Sequence, residues 1–235
     1  MMRRTIELTG KAVYWLVTDP RKALFLVRRR LWPLLYPIVR RFDHDPPGKG
    51  AFLDFGSNYG QGIRYFTKLY PPDRYDYVLV EPNPACHASL ERAATELRAR
   101  GAGAKVLPNA VWISNEKLRL SIPPLADDPT SLGSSHMVSD TAGLHSFEVQ
   151  GLDVGVLIDE MASYGHLVIK MDIEGAELEV LERIFSKASG LPYRLVLYVE
   201  FHSYYQEGAE KRASLVAERS LLNRIPENVV LREWH

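Results

Sequence analysis

Four ionisable side chains crowd one short run of the sequence, Lys170-Met171-Asp172-Ile173-Glu174-Gly175-Ala176-Glu177, directly after the apolar stretch Leu167-Val168-Ile169. Glu174 and Glu177 suit the positive end of a helix that starts at Ala176, which leaves Lys170 and Asp172, at the end of a buried strand, to be explained. A second apolar run carries Glu200 and leads into His202. If these two strands are neighbours, Asp172, Glu200 and His202 converge, and two chemistries are open to them. His202 suits a general base at neutral pH, since its ordinary pKa is ~6.5. Alternatively Asp172, Glu200 and His202, assisted by Glu174, hold a divalent cation such as Mg2+ that orients and acidifies a hydroxyl. Two carboxylates brought together repel unless a cation joins them. Lys170 supplies one only if the strand stays regular enough to keep it on the face of Asp172.

Two more strand ends carry a different chemistry. Phe52-Leu53-Asp54-Phe55-Gly56-Ser57-Asn58-Tyr59-Gly60 reads as an apolar strand that turns through two glycines into a helix. Glycine lets the backbone approach a ligand, and the helix start offers free N–H groups, although Gly-x-x-x-Gly by itself is equally an ordinary tight turn. Glu81, followed by Pro82-Asn83-Pro84, stands 25 residues past Gly56 at the end of the next apolar run. An acid at that offset can accept both ribose hydroxyls of a nucleoside. Together the two features indicate a nucleoside-cofactor site. A nicotinamide oxidoreductase normally requires Gly-x-Gly-x-x-Gly, and the order Gly56, Gly60, Gly62 counts against it.

Phe52–Gly60, Glu81–Pro84, Asn109-Ala110-Val111, Lys170–Glu177 and Val199-Glu200-Phe201-His202 resemble the FkbM family of S-adenosylmethionine-dependent O-methyltransferases. The resemblance covers roughly residues 50–205, and the Lys-x-Asp-x-Glu-Gly-Ala-Glu run is its most specific part. It implies a class I, Rossmann-like methyltransferase fold of seven strands and an acceptor hydroxyl on a sugar, a glycolipid or a polyketide-type product. On this reading Gly56, Asn58 and Gly60 approach the methionine part of the cofactor, Asp54 orients that loop or the cofactor's amino group, and Glu81 holds the ribose. Asn83 lines the same wall, and Asn109 with Ala110 lies near the adenine. Lys170, Asp172, Glu200 and His202 form the catalytic end. A non-catalytic scaffold on the same fold is the alternative outside enzymology, and the intact Asp54, Glu81, Lys170 and Asp172 argue against it.

These residues need a sheet with helices on both faces to bring them together, and the pattern from residue 51 onward supplies one. Strands are expected over Ala51–Phe55, Tyr77–Val80, Lys105–Trp112, Leu118–Ile122, Ser146–Val149, Leu167–Met171, Leu195–Phe201 and Val229–Arg232. Helices are expected over Gly60–Leu69, Pro84–Arg100, Val154–Ala162, Ala176–Phe185 and Ala209–Leu222. The fold class is thus α/β, a doubly wound, mostly parallel sheet with an N-terminal helical arm. Pro123–His145 reads as a long loop, His136 and His145 as solvated loop histidines, and Cys86 as a structural thiol. Only one strand fits after Leu222, where the implied fold ends in two.

The 235 residues, with 29 basic and 29 acidic side chains and 46% hydrophobic content, exclude a collagenous, low-complexity or disordered chain. One cysteine excludes an intrachain disulfide, and a reducing cytoplasm is the default. The neutral total hides an asymmetry. Residues 1–41 hold ten Lys/Arg against Glu7 and Asp19, or +8, so the remainder is 19 minus 27, or −8. Asp45-Pro46-Pro47-Gly48 reads as the boundary, giving a basic arm over 1–45 and a cofactor-binding domain over 46–235. Thr18-Asp19-Pro20 is a helix start, and Pro33 and Pro37 are expected to break or kink the chain beyond it. With Trp15, Leu31, Trp32, Leu34 and Leu35 interleaved among the charges, the arm reads as a packed helix with a solvated basic face, as a peripheral contact with anionic membrane, or as a homo-oligomer contact. A nucleic-acid partner is not expected. The longest uncharged stretch near the N-terminus, Leu31–Val39, falls far short of the ~20 residues that cross a bilayer.

Overall fold

The computed structural model describes residues 48–122, 136–137, 145–203 and 208–234, together with Leu31, Leu34, Leu35 and Ile38. Asp45–Glu233 form one compact unit. Along it run β1 (Gly50–Phe55), α1 (Gln61–Leu69), β2 (Tyr75–Val80), α2 (Pro84–Ala99), β3 (Ala104–Leu107), β4 (Ala110–Trp112), β5 (Lys117–Ile122), β6 (His136–Met137), β7 (His145–Asp153), α3 (Val154–Glu160), β8 (His166–Met171), α4 (Glu177–Ala188), β9 (Leu195–Val199), α5 (Gly208–Leu222) and β10 (Val229–Glu233). Strands β1, β8 and β9 are buried along their whole length, as their nearly unbroken apolar sequences require when helices cover both faces of a parallel sheet.

The main sheet has the order β10-β9-β8-β1-β2-β3, and every pairing in it is parallel. The chain moves outward from β1 to β3 and then returns to β8 on the other side of β1. That reversal places a crevice beyond the carboxyl ends of β1 and β8, where ligands of such sheets bind. On one face Leu53, Phe55, Ile169, Met171, Leu197 and Val199 pack with Leu157 and Ile158 of α3 and Val180, Leu181 and Ile184 of α4. On the other, Phe66 of α1 meets Phe52 and Tyr198, with ring centroids 5.0 Å apart in both pairs. A second sheet, β4-β7-β5-β6, flanks the crevice.

Three expectations need correction. The expected strand 105–112 is two strands in different sheets. Pro108 has no N–H to continue the ladder, so β3 stays on β2 while β4 pairs with Gly151–Asp153 of β7. The main sheet has six strands among the described residues where the resemblance implies seven, and the single strand expected after Leu222 is present as β10, parallel to β9. Within the expected loop 123–145, His136–Met137 forms β6 on β5 and His145 opens β7. In the arm, Leu31, Leu34, Leu35 and Ile38 are helical. Pro33, Pro37, Trp15, Trp32 and the helix start at Asp19 lie outside the described residues.

The β1 turn rests directly on the end of β8. Gly56 has φ +70°, and a Cβ there would stand 1.8 Å from the backbone oxygen of Asp172. Gly56→Ala is therefore expected to cost at least about 3 kcal/mol, left-handed strain adding to a collision with backbone. Gly62, inside α1, has no atom closer than 4.0 Å to its virtual Cβ, so Gly62→Ala should be neutral or stabilise by up to about 1 kcal/mol. Urea unfolding of the two variants checks both signs.

Candidate active site

The β1–α1 turn is built from left-handed residues. Gly56, Asn58 and Gly60 have φ of 70°, 50° and 85°, and the N–H groups of Gly56 and Ser57 both donate to the Val80 carbonyl, at 3.0 and 3.1 Å. The turn is thereby tied to the end of β2, where Glu81 is 2% exposed. Each oxygen of Glu81 accepts one backbone N–H, from Asn58 and from Asn83, both at 2.8 Å. Burial pushes this carboxyl above its usual range, and the two N–H groups oppose the rise. A carboxylate offers about four acceptor positions. Glu81 thus keeps acceptors for a diol.

Glu81, Gly56, Asn58, Asp172, Ile173, Glu174 and Ala176 line a cavity of about 610 Å3, measured out to where it opens to solvent, and Val80, Pro82, Ala110, Val111, Leu118 and Leu120 add apolar surface to it. Among the described residues the lining holds three carboxylates and neither Lys nor Arg.

Lys170 stands outside that lining. Its Nζ donates to the Gly56 carbonyl at 2.8 Å and lies 3.5 Å from carboxylate oxygens of both Asp54 and Asp172. The strand remains regular enough to keep Lys170 and Asp172 on one face. Burial works against the ammonium charge, but Asp172 and Asp54 outweigh it and hold the pKa above that of free lysine. Burial likewise pushes Asp54 up, with Lys170 opposing. Neither oxygen of Asp54 has a hydrogen-bond partner among the described residues. Neither Lys170 nor Asp54 lines the cavity; Lys170 holds the glycine turn through the Gly56 carbonyl, and Asp54, beside it, meets the expectation that it orients that loop.

Past β8 the chain turns through Glu174 and Gly175, with φ of 56° and 104°. This swings Glu174 back over His202, whose Nε2 lies 3.2 Å from Glu174 and 3.7 Å from Asp172. The other ring nitrogen, Nδ1, donates to the buried Glu177 at 2.6 Å. Spacing alone makes Glu177 a helix-end acid, and the sequence signal for its second role is the glycine two residues before it. Burial works against a charge on His202, but the bond from Glu177 and the charges of Glu177, Glu174 and Asp172 raise its pKa to about 9. A pKa of about 9 favours the imidazolium over the free imidazole at neutral pH.

The expected ligand set is corrected in the same region. Asp172, Glu174 and His202, not Glu200, bring one ligand atom each within 4.8 Å of one another. Glu200 continues the β9 ladder, its N–H donating to Met171 O at 2.9 Å, and its charge acts on Lys170. A divalent cation fits the three only after displacing the Nε2 proton that now lies between two carboxylates.

Other expected contacts divide. Ala110 lines the cavity, whereas Asn109 donates to Gln150 O at 3.1 Å and is absent from the lining. Asn83 caps α2, accepting from Ala85 N at 3.0 Å with Pro84 at the first helical position, so it supports Glu81 from behind. Gly60 precedes α1 and packs toward Ile63 and Leu90, outside the lining. Cys86 is buried, and burial pushes its thiol up to about 12, as a structural cysteine requires.

A switch-point cavity beyond the carboxyl ends of a parallel sheet with helices on both faces is the arrangement of a Rossmann-like fold. The sequence matches the FkbM methyltransferase domain over residues 54–224, and the chain belongs to that family of methyltransferases. Among solved structures, the FkbM methyltransferase of Methylobacillus flagellatus KT has 14% identity and a TM-score of 0.45, with 80% of this chain and 40% of that one covered. This chain thus spans about two fifths of that relative. A short-chain dehydrogenase of Oenococcus oeni PSU-1 has 10% identity and a TM-score of 0.40, with 81% of this chain and 80% of that one covered. No curated protein matches the sequence.

The charge on His202 makes stability depend on pH. Its folded pKa of about 9 exceeds the ordinary 6.5, so its contribution is complete below pH ~6.5 and is lost as pH rises through ~9, amounting to about 3 kcal/mol. Urea unfolding in EDTA should show the gap between the natural chain and His202→Gln closing by that amount between pH 6 and pH 10 (roughly, by the same linkage). A curve that shifts when Mg2+ replaces EDTA would place a metal, not a proton, at Nε2.

Proposed function

We propose that the protein transfers a methyl group from S-adenosylmethionine to a hydroxyl oxygen of a sugar, a glycolipid or a polyketide-type product. The observation that carries this reading is the charge of the cavity. Glu81, Asp172 and Glu174 line it without a Lys or Arg, and such a lining favours a ligand bearing positive charge, as a sulfonium with an α-ammonium does. A nicotinamide dinucleotide would bring two phosphate charges to the same carboxylates, which disfavours the oxidoreductase reading.

S-adenosylmethionine, when bound, supplies an electrophilic methyl carbon. Glu81 accepts the ribose hydroxyls, and the apolar wall of Ala110, Val111, Leu118 and Leu120 receives the flat base. Asp172 borders the cavity with its side chain 29% exposed, flanked by Lys170 and His202. It accepts the hydrogen bond of the acceptor hydroxyl and takes its proton as the oxygen–carbon bond forms and the carbon–sulfur bond breaks. The alkylated oxygen is a far stronger acid than a carboxylic acid, so a carboxylate suffices and positioning supplies most of the rate. The single buried cysteine favours a cytoplasmic setting.

Titration calorimetry tests the reading. S-adenosylmethionine should bind and NAD should not, and Glu81→Gln should weaken the former at least tenfold, the loss of hydrogen bonds to a charged group costing ~1.5–3 kcal/mol. Binding of NAD alone, or unchanged affinity in Glu81→Gln, would overturn it.

A further inference from the structure

Two of the acids that line the cavity are held in different ways. Val80, Phe55 and Met171 are in register across β2, β1 and β8, so Glu81 and Asp172, each one residue further on, stand two strand spacings, or ~10 Å, apart. Glu81 is buried and each of its oxygens takes a backbone N–H at 2.8 Å. Asp172 is met more loosely. Its side chain is 29% exposed, and its two cationic neighbours, Lys170 and His202, lie at 3.5 Å and 3.7 Å, beyond the ~2.7–2.9 Å of a charge-assisted hydrogen bond. Each neighbour is held closer by another group, Lys170 by the Gly56 carbonyl at 2.8 Å and His202 by Glu177 at 2.6 Å. Asp172 therefore lines the cavity with a charge that the protein itself only partly answers.

We propose that Asp172 makes the site distinguish S-adenosylmethionine from S-adenosylhomocysteine, so that the substrate form is held and the product form is released. The inference rests on the methyl-transfer reading. In that reaction the acceptor oxygen meets both Asp172 and the methyl carbon, which brings the sulfur close to the carboxylate. As the oxygen–carbon bond forms and the carbon–sulfur bond breaks, sulfur keeps the electron pair and the hydroxyl proton passes to Asp172. Both charges of the attracting pair are then gone, and the product lacks what held the substrate. The ribose is common to the two forms, and Glu81 offers it the same contact in each.

Titration calorimetry at pH 7 in EDTA, which keeps divalent ions off Asp172, tests the proposal with three nucleosides and no acceptor. S-adenosylmethionine and sinefungin, which carries an ammonium in place of the sulfonium, should each bind about tenfold or more tighter than S-adenosylhomocysteine, a difference of about 1.4 kcal/mol. Asp172→Asn should cut that preference about fivefold while S-adenosylhomocysteine affinity stays within about threefold, which serves as the folding control. Glu81→Gln should weaken all three together. A natural chain that binds S-adenosylhomocysteine as tightly as S-adenosylmethionine would overturn the proposal, as would an Asp172→Asn chain that keeps the preference or loses all three alike. A natural chain that binds none of the three would overturn the methyl-transfer reading itself.

Discussion

An ammonium buried in a protein interior survives only if carboxylates and carbonyls surround it. Lys170 meets that condition by drawing three chain segments to one point. Its Nζ holds the carbonyl of Gly56 at the start of the cofactor turn, Asp54 at the end of β1 and Asp172 at the end of β8. The contact explains why these segments cannot move apart, and the crowding of Gly56 against the Asp172 carbonyl explains why they cannot be padded with a side chain. The turn and the reactive edge of the sheet are one rigid unit.

The same logic continues outward from Asp172. Glu174 and Glu177 would repel it and each other, and His202 relieves this as an imidazolium whose Nδ1–H donates to Glu177 while Nε2–H faces Glu174 and Asp172. Lys170 and His202 together supply two positive charges against Asp54, Asp172, Glu174 and Glu177, before Glu81 and Glu200 are counted. The cavity edge is left net negative. That surplus is the electrostatic basis on which the proposed cationic cofactor rests.

Much of this was legible in the sequence because it depends on local pattern. The central strands read as unbroken apolar runs, and the switch between β1 and β8 stems from the alternation of strands and helices. Glu81 was legible from its offset to Gly56, and Lys170 and Asp172 from their alternation along one strand. The features that escaped depend on backbone geometry or on competing roles. The left-handed pair Glu174–Gly175 redirects Glu174 to His202, and nothing in residue spacing separates that from a helix-end acid. Pro108 divides one expected strand between two sheets. Asn83 and Asn109 are polar residues beside a site whose side chains are engaged in holding the backbone, and a sequence does not distinguish support from contact.

The claim that Lys170 is the joint of the site is tested most directly by a double-mutant cycle in urea unfolding with Lys170→Met, Asp54→Asn and the pair. Each single change leaves a buried charge short of its partner and should cost about 3–5 kcal/mol. The pair should cost at least about 1 kcal/mol less than the sum, because neither orphaned charge remains. Additivity within about 0.5 kcal/mol would show that the two side chains are not coupled and would contradict the account.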